Sequence, residues 1–107
     1  MPLHLLLAEV YERYKRPLVI AETSHYGIGR APWLDEVAAE MHQARANGVP
    51  LEGACLYPIL DRFDWDDRTH WHNCGLWDVA LNGNGHYQRL INPVYAHALR
   101  VAQQLLE

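Results

Sequence analysis

Leu51–Val79, LEGACLYPILDRFDWDDRTHWHNCGLWDV, is the stretch that decides the fold. It begins as a short apolar strand, predicted over residues 51–57, and breaks at Pro58. A long loop follows that is dense in aromatic rings, carboxylates and imidazoles. Loops that only close a chain are shorter and consist of Gly, Pro and small polar residues. The composition therefore indicates either a ligand site or a loop packed down by its own tryptophans, and both alternatives remain open at this point.

Size and composition predict one ordinary globular domain over residues 1–107. The chain has 107 residues, of which 50% are apolar and 21% charged, with a net charge of −4. The acidic balance and scattered cations exclude a basic stripe, so we expect no nucleic-acid partner. No apolar run approaches the roughly 20 residues of a membrane span, so we expect no membrane partner.

The first residues and the cysteines bear on the compartment. A short Leu run near the start is followed by acidic Glu9 and preceded by no charged segment, which argues against a secretion signal and favours the cytoplasm. Cys55 and Cys74 are too few and too far apart for a disulfide framework. We predict that both are reduced thiols, with Cys55 in a buried strand.

Five elements are predicted, in the order helix, strand, helix, strand, helix. Apolar periodicity and end signals place them at residues 3–15, 17–21, 32–46, 51–57 and 93–106. The run PLVIA at 17–21 does not alternate, which is typical of a strand covered on both faces. The last helix is expected to begin with Asn92 as N-cap and Pro93 at its first position. Its predicted apolar face consists of Val94, Ala98, Val101 and Leu105.

This alternation predicts an α/β architecture with two parallel strands joined by a right-handed crossover. Asn82-Gly83-Asn84-Gly85 is predicted to be a turn before the last helix. A two-stranded parallel sheet is almost unknown alone, because its edges and one broad face stay uncovered. The chain is therefore expected either to take strands from a partner or to be a piece of something larger.

Candidate chemistry lies where the two strands end. Glu22 follows the first strand, and Tyr57 and the loop 61–65 follow the second. Parallel neighbours place these ends roughly 5–10 Å apart. A carboxylate among rings and further carboxylates suits carbohydrate, because aromatic faces stack on sugar rings and polar groups bind hydroxyls. The alternative for Glu22 is a solvated residue at a strand end.

Three segments carry a resemblance to family 1 (β-glucosidase-type) glycoside hydrolases. Leu3–Glu22, with YERYKRPLVIAET, is similar to the helix and strand that lead to the nucleophilic Glu of an E-N-G motif. Ala44–Trp65, ARANGVPLEGACLYPILDRFDW, is similar to A-x-x-x-G-V-x-V-x-G-Y-x-x-W-S-L-x-D-N-F-E-W. Residues 75–79, GLWDV, match G-L-x-x-V. The resemblance covers nearly the whole chain and implies the last quarter of a (β/α)8 TIM barrel.

The resemblance also implies residue roles. Glu22 would attack the anomeric carbon in a retaining mechanism, Tyr57 would line the sugar site, Asp64 would bind hydroxyls and Trp65 would stack on the sugar. The departures from the pattern are Thr23-Ser24, Tyr57-Pro58 and the shorter Asp64, and they leave the substrate open. Further candidate sugar contacts are Asp61, His25 and Trp71.

The second catalytic carboxyl is missing. Retaining hydrolysis needs an acid/base about 5–5.5 Å from the nucleophile, and in the family an Asn-Glu pair from an earlier strand supplies it. We therefore expect a carbohydrate-site half that is inactive alone, completed by self-association or by the remaining barrel. The alternative is a non-catalytic, self-associating or carbohydrate-binding domain on the same scaffold.

A metal site is a weaker alternative for residues 70–74, HWHNC. His70, His72 and Cys74 are ligand types for zinc, but no second motif completes the set unless His25 approaches. Solvated loop histidines or hydrogen-bond donors to sugar explain these residues better than a metal site, so we expect neither metal nor cofactor.

Overall fold

Two helices cover one face of a short parallel sheet, and a hairpin with a third helix follows. The computed structural model describes all residues, Met1–Glu107. Its elements are α1 (Leu3–Tyr14), β1 (Leu18–Thr23), a 3-10 turn (Gly27–Gly29), α2 (Arg30–Ala46), β2 (Leu51–Leu56), β3 (Trp77–Leu81), β4 (Tyr87–Ile91) and α3 (Pro93–Leu105). Strands β1 and β2 are parallel, with Leu18 opposite Leu51, while β3 and β4 form a separate antiparallel pair.

The helix ends follow their sequence signals. Lys15 closes α1 in the left-handed conformation, with φ of 52°, ahead of Pro17. Gly48, with φ of 90°, follows the end of α2 as a left-handed residue, a conformation that favours glycine. The side chain of Asn92 accepts the backbone N–H of Tyr95 at 3.0 Å and caps α3. These predicted boundaries are confirmed within a few residues.

The predicted order omitted the β3–β4 hairpin and is corrected here. The predicted turn at residues 82–85 joins the two strands, and Asn82 Oδ1 accepts the N–H groups of Asn84 at 2.9 Å and His86 at 3.1 Å. All residues of β4 are exposed, so neither a buried run nor a clean alternation marks the strand in the sequence. The sequence pattern predicted the turn but not the two strands that flank it.

The first strand is covered on one face only, which corrects a second prediction. Leu18 and Ile20 pack against the core, whereas 54% of Val19 is exposed on the opposite face. Cys55 in β2 is exposed as well, so its predicted burial is wrong. The apolar sequence of these strands suits a second covering layer, and this chain contains none over that face.

The core consists of two clusters that flank α2. The first joins α1, α2 and β2 through Leu7, Val37, Met41, Ala44, Val49 and Leu51. The second joins α2 to α3 through Ala31, Leu34, Ala38, Tyr95, Ala98 and Ala102.

The face of α3 that packs differs from the predicted one. Tyr95, Ala98 and Ala102 are buried, while Val94 is 67% exposed and Val101 is 44% exposed. Ala98 and Ala102 let the α2 and α3 backbones approach closely, and Tyr95 and Leu99 of α3 pack in the same contact. Of the predicted face, only Ala98 is buried.

The chain is less compact than a typical globular domain of its length. Only 16 of 107 residues are buried. The radius of gyration is 16.3 Å, whereas a compact domain of this size has about 13 Å. None of the helices combines the length and apolarity that crossing a lipid bilayer requires.

Candidate functional site

The carboxyl ends of β1 and β2 lie side by side, as their parallel order predicts. Thr23 pairs with Leu56, and the N–H of Tyr57 donates to the carbonyl of Thr23 at 3.3 Å. Glu22 and Tyr57 therefore lie at the same edge of the sheet. The peptide between Tyr57 and Pro58 is cis.

A cleft of about 250 Å³ opens at this edge. It is lined by Glu22, Ser24, His25, Tyr26, Tyr57, Pro58, Arg62, His72 and Cys74. Glu22 is exposed and Tyr57 is 46% exposed, so both side chains are accessible. A larger groove of about 640 Å³ lies beside the hairpin. Its lining has no carboxylate or imidazole, whereas the lining of the smaller cleft has both.

The residues that depart from the family pattern after Glu22 hold the cleft together. Thr23 Oγ1 accepts the indole N–H of Trp33 at 2.9 Å, which ties the strand end to α2. Ser24 Oγ donates to the carbonyl of Cys74 at 3.1 Å. These side chains connect the β1 loop to the long loop after β2.

The long loop is ordered by its own contacts. Residues Phe63 and Trp71 form an antiparallel bridge, with their rings edge-on at 5.5 Å. Trp71 also lies 5.9 Å from the ring of Tyr87 on the hairpin. Trp71, predicted as a sugar contact, is half-buried in this packing. For this tryptophan the structure shows the loop-packing arrangement.

The carboxylate of Asp64 makes its contacts within the long loop itself. Its Oδ1 accepts the N–H groups of Asp66 at 2.8 Å and Asp67 at 3.2 Å, and its Oδ2 lies 3.2 Å from His72 Nε2. The N–H of Asp66 is the largest cause of a lowered pKa of Asp64, assisted by Asp67 and His72. Little acceptor capacity remains for a ligand hydroxyl.

Asp61 is buried beneath the same loop, with 5% exposure. Its Oδ1 accepts the N–H of Cys74 at 3.1 Å and lies 3.6 Å from the Cys74 sulfur. Burial, followed by the charge of Asp61, raises the pKa of the Cys74 thiol. Asp61 is thus placed to hold the loop and lies outside the cleft lining.

Trp65 and His25 are accessible. Trp65 is 80% exposed, and the guanidinium carbon of Arg62 lies 5.0 Å from its ring centroid. His25 Nδ1 accepts the N–H of Tyr26 at 2.9 Å and lies 3.2 Å from the carbonyl oxygen of the same residue. Of the predicted site residues, Glu22, Tyr57 and His25 share the cleft, and Trp65 lies at its Arg62 side.

Sequence reasoning did not single out Arg62 for the site, although it lies inside the D-x-F-D-W motif. It also missed Arg30, which is 5% exposed and donates to Asp78 Oδ1 at 2.8 Å and to the carbonyl of Gly75 at 2.9 Å. Nothing in the local pattern distinguishes either arginine from a solvated one.

The HWHNC segment does not form a metal-binding set. The rings of His70 and His72 contact edge-on at 5.1 Å, and His72 pairs with Asp64. No three His, Cys, Asp or Glu side chains lie together with the geometry of a metal site.

Several solved structures share the arrangement of this chain's helices and strands. The chain superposes with a TM-score of 0.76 on the β-glycosidase from the hyperthermophile Thermosphaera aggregans, at 22% identity, covering 95% of this chain and 21% of that one. It superposes on a family 1 β-glucosidase from Thermotoga maritima with a TM-score of 0.75, at 20% identity, covering 95% and 25%. For an aphid myrosinase the TM-score is 0.75, at 18% identity, covering 94% and 23%.

These structures establish the fold. The chain is an α/β unit with three helices and a parallel strand pair that corresponds to part of a TIM barrel, and the predicted resemblance to family 1 glycoside hydrolases is confirmed at that level. The chain spans between 21% and 25% of the length of these three proteins.

The sequence comparisons point elsewhere or find nothing. No family model matches the chain. A pyridoxal 5'-phosphate synthase subunit PdxT from Methanococcoides burtonii is 33% identical over 60 residues, which cover 53% of this chain and 30% of that protein. The match spans too little of that subunit to relate the two as whole proteins.

Proposed function

We propose that residues 1–107 form one domain, the last quarter of a glycoside hydrolase-like (β/α)8 barrel, with Glu22 in the position of the nucleophile of a retaining β-glycosidase. The observation that supports this most is the shared cleft of Glu22, Tyr57 and His25 at the carboxyl ends of parallel strands. Ligand sites of barrel enzymes lie at this end of the strands. Trp65 and Tyr57 supply the aromatic surface that a sugar ring contacts.

The proposed site has only one of the two carboxyls that the reaction needs. A second carboxyl about 5–5.5 Å from Glu22 would act as acid and then base. Asp61 is buried on Cys74, and Asp64 and Asp67 hold loop backbone. Asp66 is exposed and is not among the residues that line the cleft. We therefore infer that the acid/base comes from outside these strands, from the remaining barrel or an associated chain.

An activity assay of the 107-residue chain tests whether the acid/base lies outside this chain. We expect little or no hydrolysis of aryl β-glucosides and β-galactosides, because the acid/base is absent. Robust turnover that Glu22→Gln abolishes would contradict the need for further strands while supporting the role of Glu22.

Sugar binding separates this proposal from a second candidate, a self-associating domain without a sugar site. The open sheet face and the bonds that engage Asp64 favour that candidate. Under the leading proposal, methyl β-glucoside shifts the NMR signals of the cleft residues, and Trp65→Ala abolishes the shifts. Tyr14→Ala, which removes an exposed ring from α1 (62% exposed), is the control and leaves binding unchanged. No shift at any concentration would favour the second candidate.

A further inference from the structure

The turn between β3 and β4 contains two of the chain's three Asn-Gly pairs, Asn82-Gly83 and Asn84-Gly85. The third pair, Asn47-Gly48, lies at the end of α2. An Asn-Gly pair can modify itself, because the backbone nitrogen of a glycine, which has no side chain in the way, can attack the side-chain amide carbon of the preceding asparagine. Since the three pairs consist of the same two residues, the fold decides which of them reacts.

The attacking nitrogen is unengaged in one of the three pairs. The N–H of Gly48 donates to the carbonyl of Arg45 at 3.0 Å, and the N–H of Gly85 donates to the carbonyl of Asn82 at 3.1 Å. The N–H of Gly83 makes no hydrogen bond within the chain, and Gly83 is exposed. A nitrogen whose proton is held by a carbonyl has to break that bond before it attacks, so the nitrogen of Gly83 is the most available.

The amide carbon that Gly83 would attack belongs to a polarised group. Asn82 Oδ1 accepts the N–H of Asn84 at 2.9 Å and the N–H of His86 at 3.1 Å. Attack on the amide carbon moves negative charge onto this oxygen, and backbone donors at such distances stabilise that charge. The Asn82-Gly83 pair therefore combines an unengaged nitrogen with two donors at the carbonyl oxygen.

We propose that Asn82 is a site of spontaneous deamidation, for which the turn itself supplies the reactive geometry. The Gly83 nitrogen forms a bond to the Asn82 amide carbon and gives up its proton, and the side-chain amino group leaves as ammonia. Water then opens the resulting five-membered imide at either carbonyl, which gives aspartate or isoaspartate at position 82. This reaction does not depend on the proposed sugar site.

The two products affect the hairpin differently. Aspartate at position 82 keeps the side-chain oxygen that accepts the two N–H groups and adds a negative charge to it, so the turn persists. Isoaspartate routes the main chain through the former side chain, and the carbonyl that accepts the N–H of Gly85 leaves the main chain. Isoaspartate therefore weakens the pairing of β3 with β4 at the turn.

The test is incubation of the full 107-residue chain in neutral buffer, followed by peptide mass spectrometry that resolves the three asparagines. We expect Asn82 to deamidate about tenfold faster than Asn84 or Asn47, the factor that corresponds to roughly one hydrogen bond. In guanidinium chloride, where the turn is unfolded, the three rates should become similar. Isoaspartate at position 82 should accompany aspartate, because the imide opens at both carbonyls.

Two variants separate attack by Gly83 from other routes. Gly83→Pro removes the attacking N–H, and neither a lost hydrogen bond nor a positive φ opposes proline there. This variant should form no isoaspartate at position 82. Asn84→Ser, the matched control, removes the neighbouring Asn-Gly pair but keeps the backbone N–H of residue 84, and it should leave the rate at Asn82 unchanged.

An equal or faster rate at Asn84 or Asn47 in the folded chain overturns the inference. A faster rate at Asn82 that persists in guanidinium chloride also overturns it, because the fold would then contribute nothing. Deamidation of Asn82 at an unchanged rate in Gly83→Pro would replace attack by Gly83 with direct hydrolysis. If Gly83→Pro does not fold, the comparison of the three pairs in the unmodified chain remains a test, since it needs no variant.

Discussion

Gly75 occupies a position where no side chain fits. A Cβ there would lie 2.5 Å from the backbone N of Asp61 and 2.8 Å from the carbonyl oxygen of Ile59. The glycine of GLWDV therefore lets the end of the long loop pass against its beginning. Backbone atoms on both sides leave nothing flexible to move aside.

Gly75→Ala should destabilise the fold by about 2–3 kcal/mol, the scale of overpacking in a tightly packed site. Gly83→Ala is the matched control, because its Cβ would meet nothing within 4 Å and its φ is not positive. We expect the control to change the free energy of unfolding by less than about 0.5 kcal/mol. Urea unfolding of both variants measures the difference, and equal values would contradict the close approach.

The acidity of Asp64 makes the long loop sensitive to low pH. Its pKa is lowered chiefly because the charged carboxylate accepts the N–H of Asp66. A lowered folded-state pKa means that the loop bonds are fully present above the ordinary carboxyl range. They are lost as the pH falls through the lowered value.

NMR titration should therefore give Asp64 a carboxyl pKa below the ordinary aspartate value. Asp64→Asn should speed amide exchange at Asp66 and Asp67, because an uncharged acceptor holds these N–H groups less strongly. Asp66→Asn is the control and should leave the exchange rates unchanged. Similar rates in both variants would show that Asp64 does not order the loop.

At the scale of elements, one ion pair joins α2 to the hairpin. Arg30, in the first turn of α2, donates to Asp78 of β3 and to the carbonyls of Gly75 and Gly27. The Arg30 side chain is 6% exposed and that of Asp78 is 29% exposed. This ion pair is the main polar link between α2 and the β3–β4 hairpin. The sequence patterns did not predict that hairpin.

Asp78→Ala should cost about 3 kcal/mol, because it leaves the buried guanidinium of Arg30 without its counter-charge. Gln88→Ala, an exposed change on the paired strand β4, is the control and should cost under about 0.5 kcal/mol. Thermal and urea unfolding measure both. A double variant, Arg30→Met with Asp78→Leu, should recover part of the loss, since no unpaired charge remains. Equal costs for Asp78→Ala and Gln88→Ala would contradict a structural role for the pair.

Elements with strong local signals were predictable, and those without them were not. The amphipathic pattern of α1, the left-handed Gly48 and the Asn92 cap act within a few residues of the chain, so their boundaries could be read directly. The buried face of α3 depends on which of its residues allow α2 to approach. Because α2 lies far away in the sequence, the local pattern of α3 does not show this. Strand β4 has no buried face to mark it.

For the whole molecule, the open face of the parallel sheet dominates the expected behaviour. Val19 is 54% exposed there, and Cys55 is exposed on the neighbouring strand. Apolar strand faces and free sheet edges favour association with other strands. We therefore expect the chain to self-associate at micromolar concentration or to bind a complementary barrel portion.

Val19→Lys should shift the mass measured by light scattering toward the monomer, because a charge on the open face opposes its burial. Ile28→Lys is the control, since Ile28 is 99% exposed on the 3-10 turn, away from the sheet. A monodisperse monomer of the unmodified chain would contradict the expectation, as would an equal effect of the two substitutions.

The sequence alone determined three helices, a parallel strand pair and the proximity of Glu22 to Tyr57, because helix periodicity, caps and parallel order act locally or follow from topology. Only the tertiary structure decided how the site's side chains are used. It turned Asp61 inward onto Cys74, packed Trp71 against Phe63, and placed Arg62 over the ring of Trp65. Those outcomes depend on contacts between residues distant in the chain or on competition among neighbouring acceptors, and a linear pattern records neither.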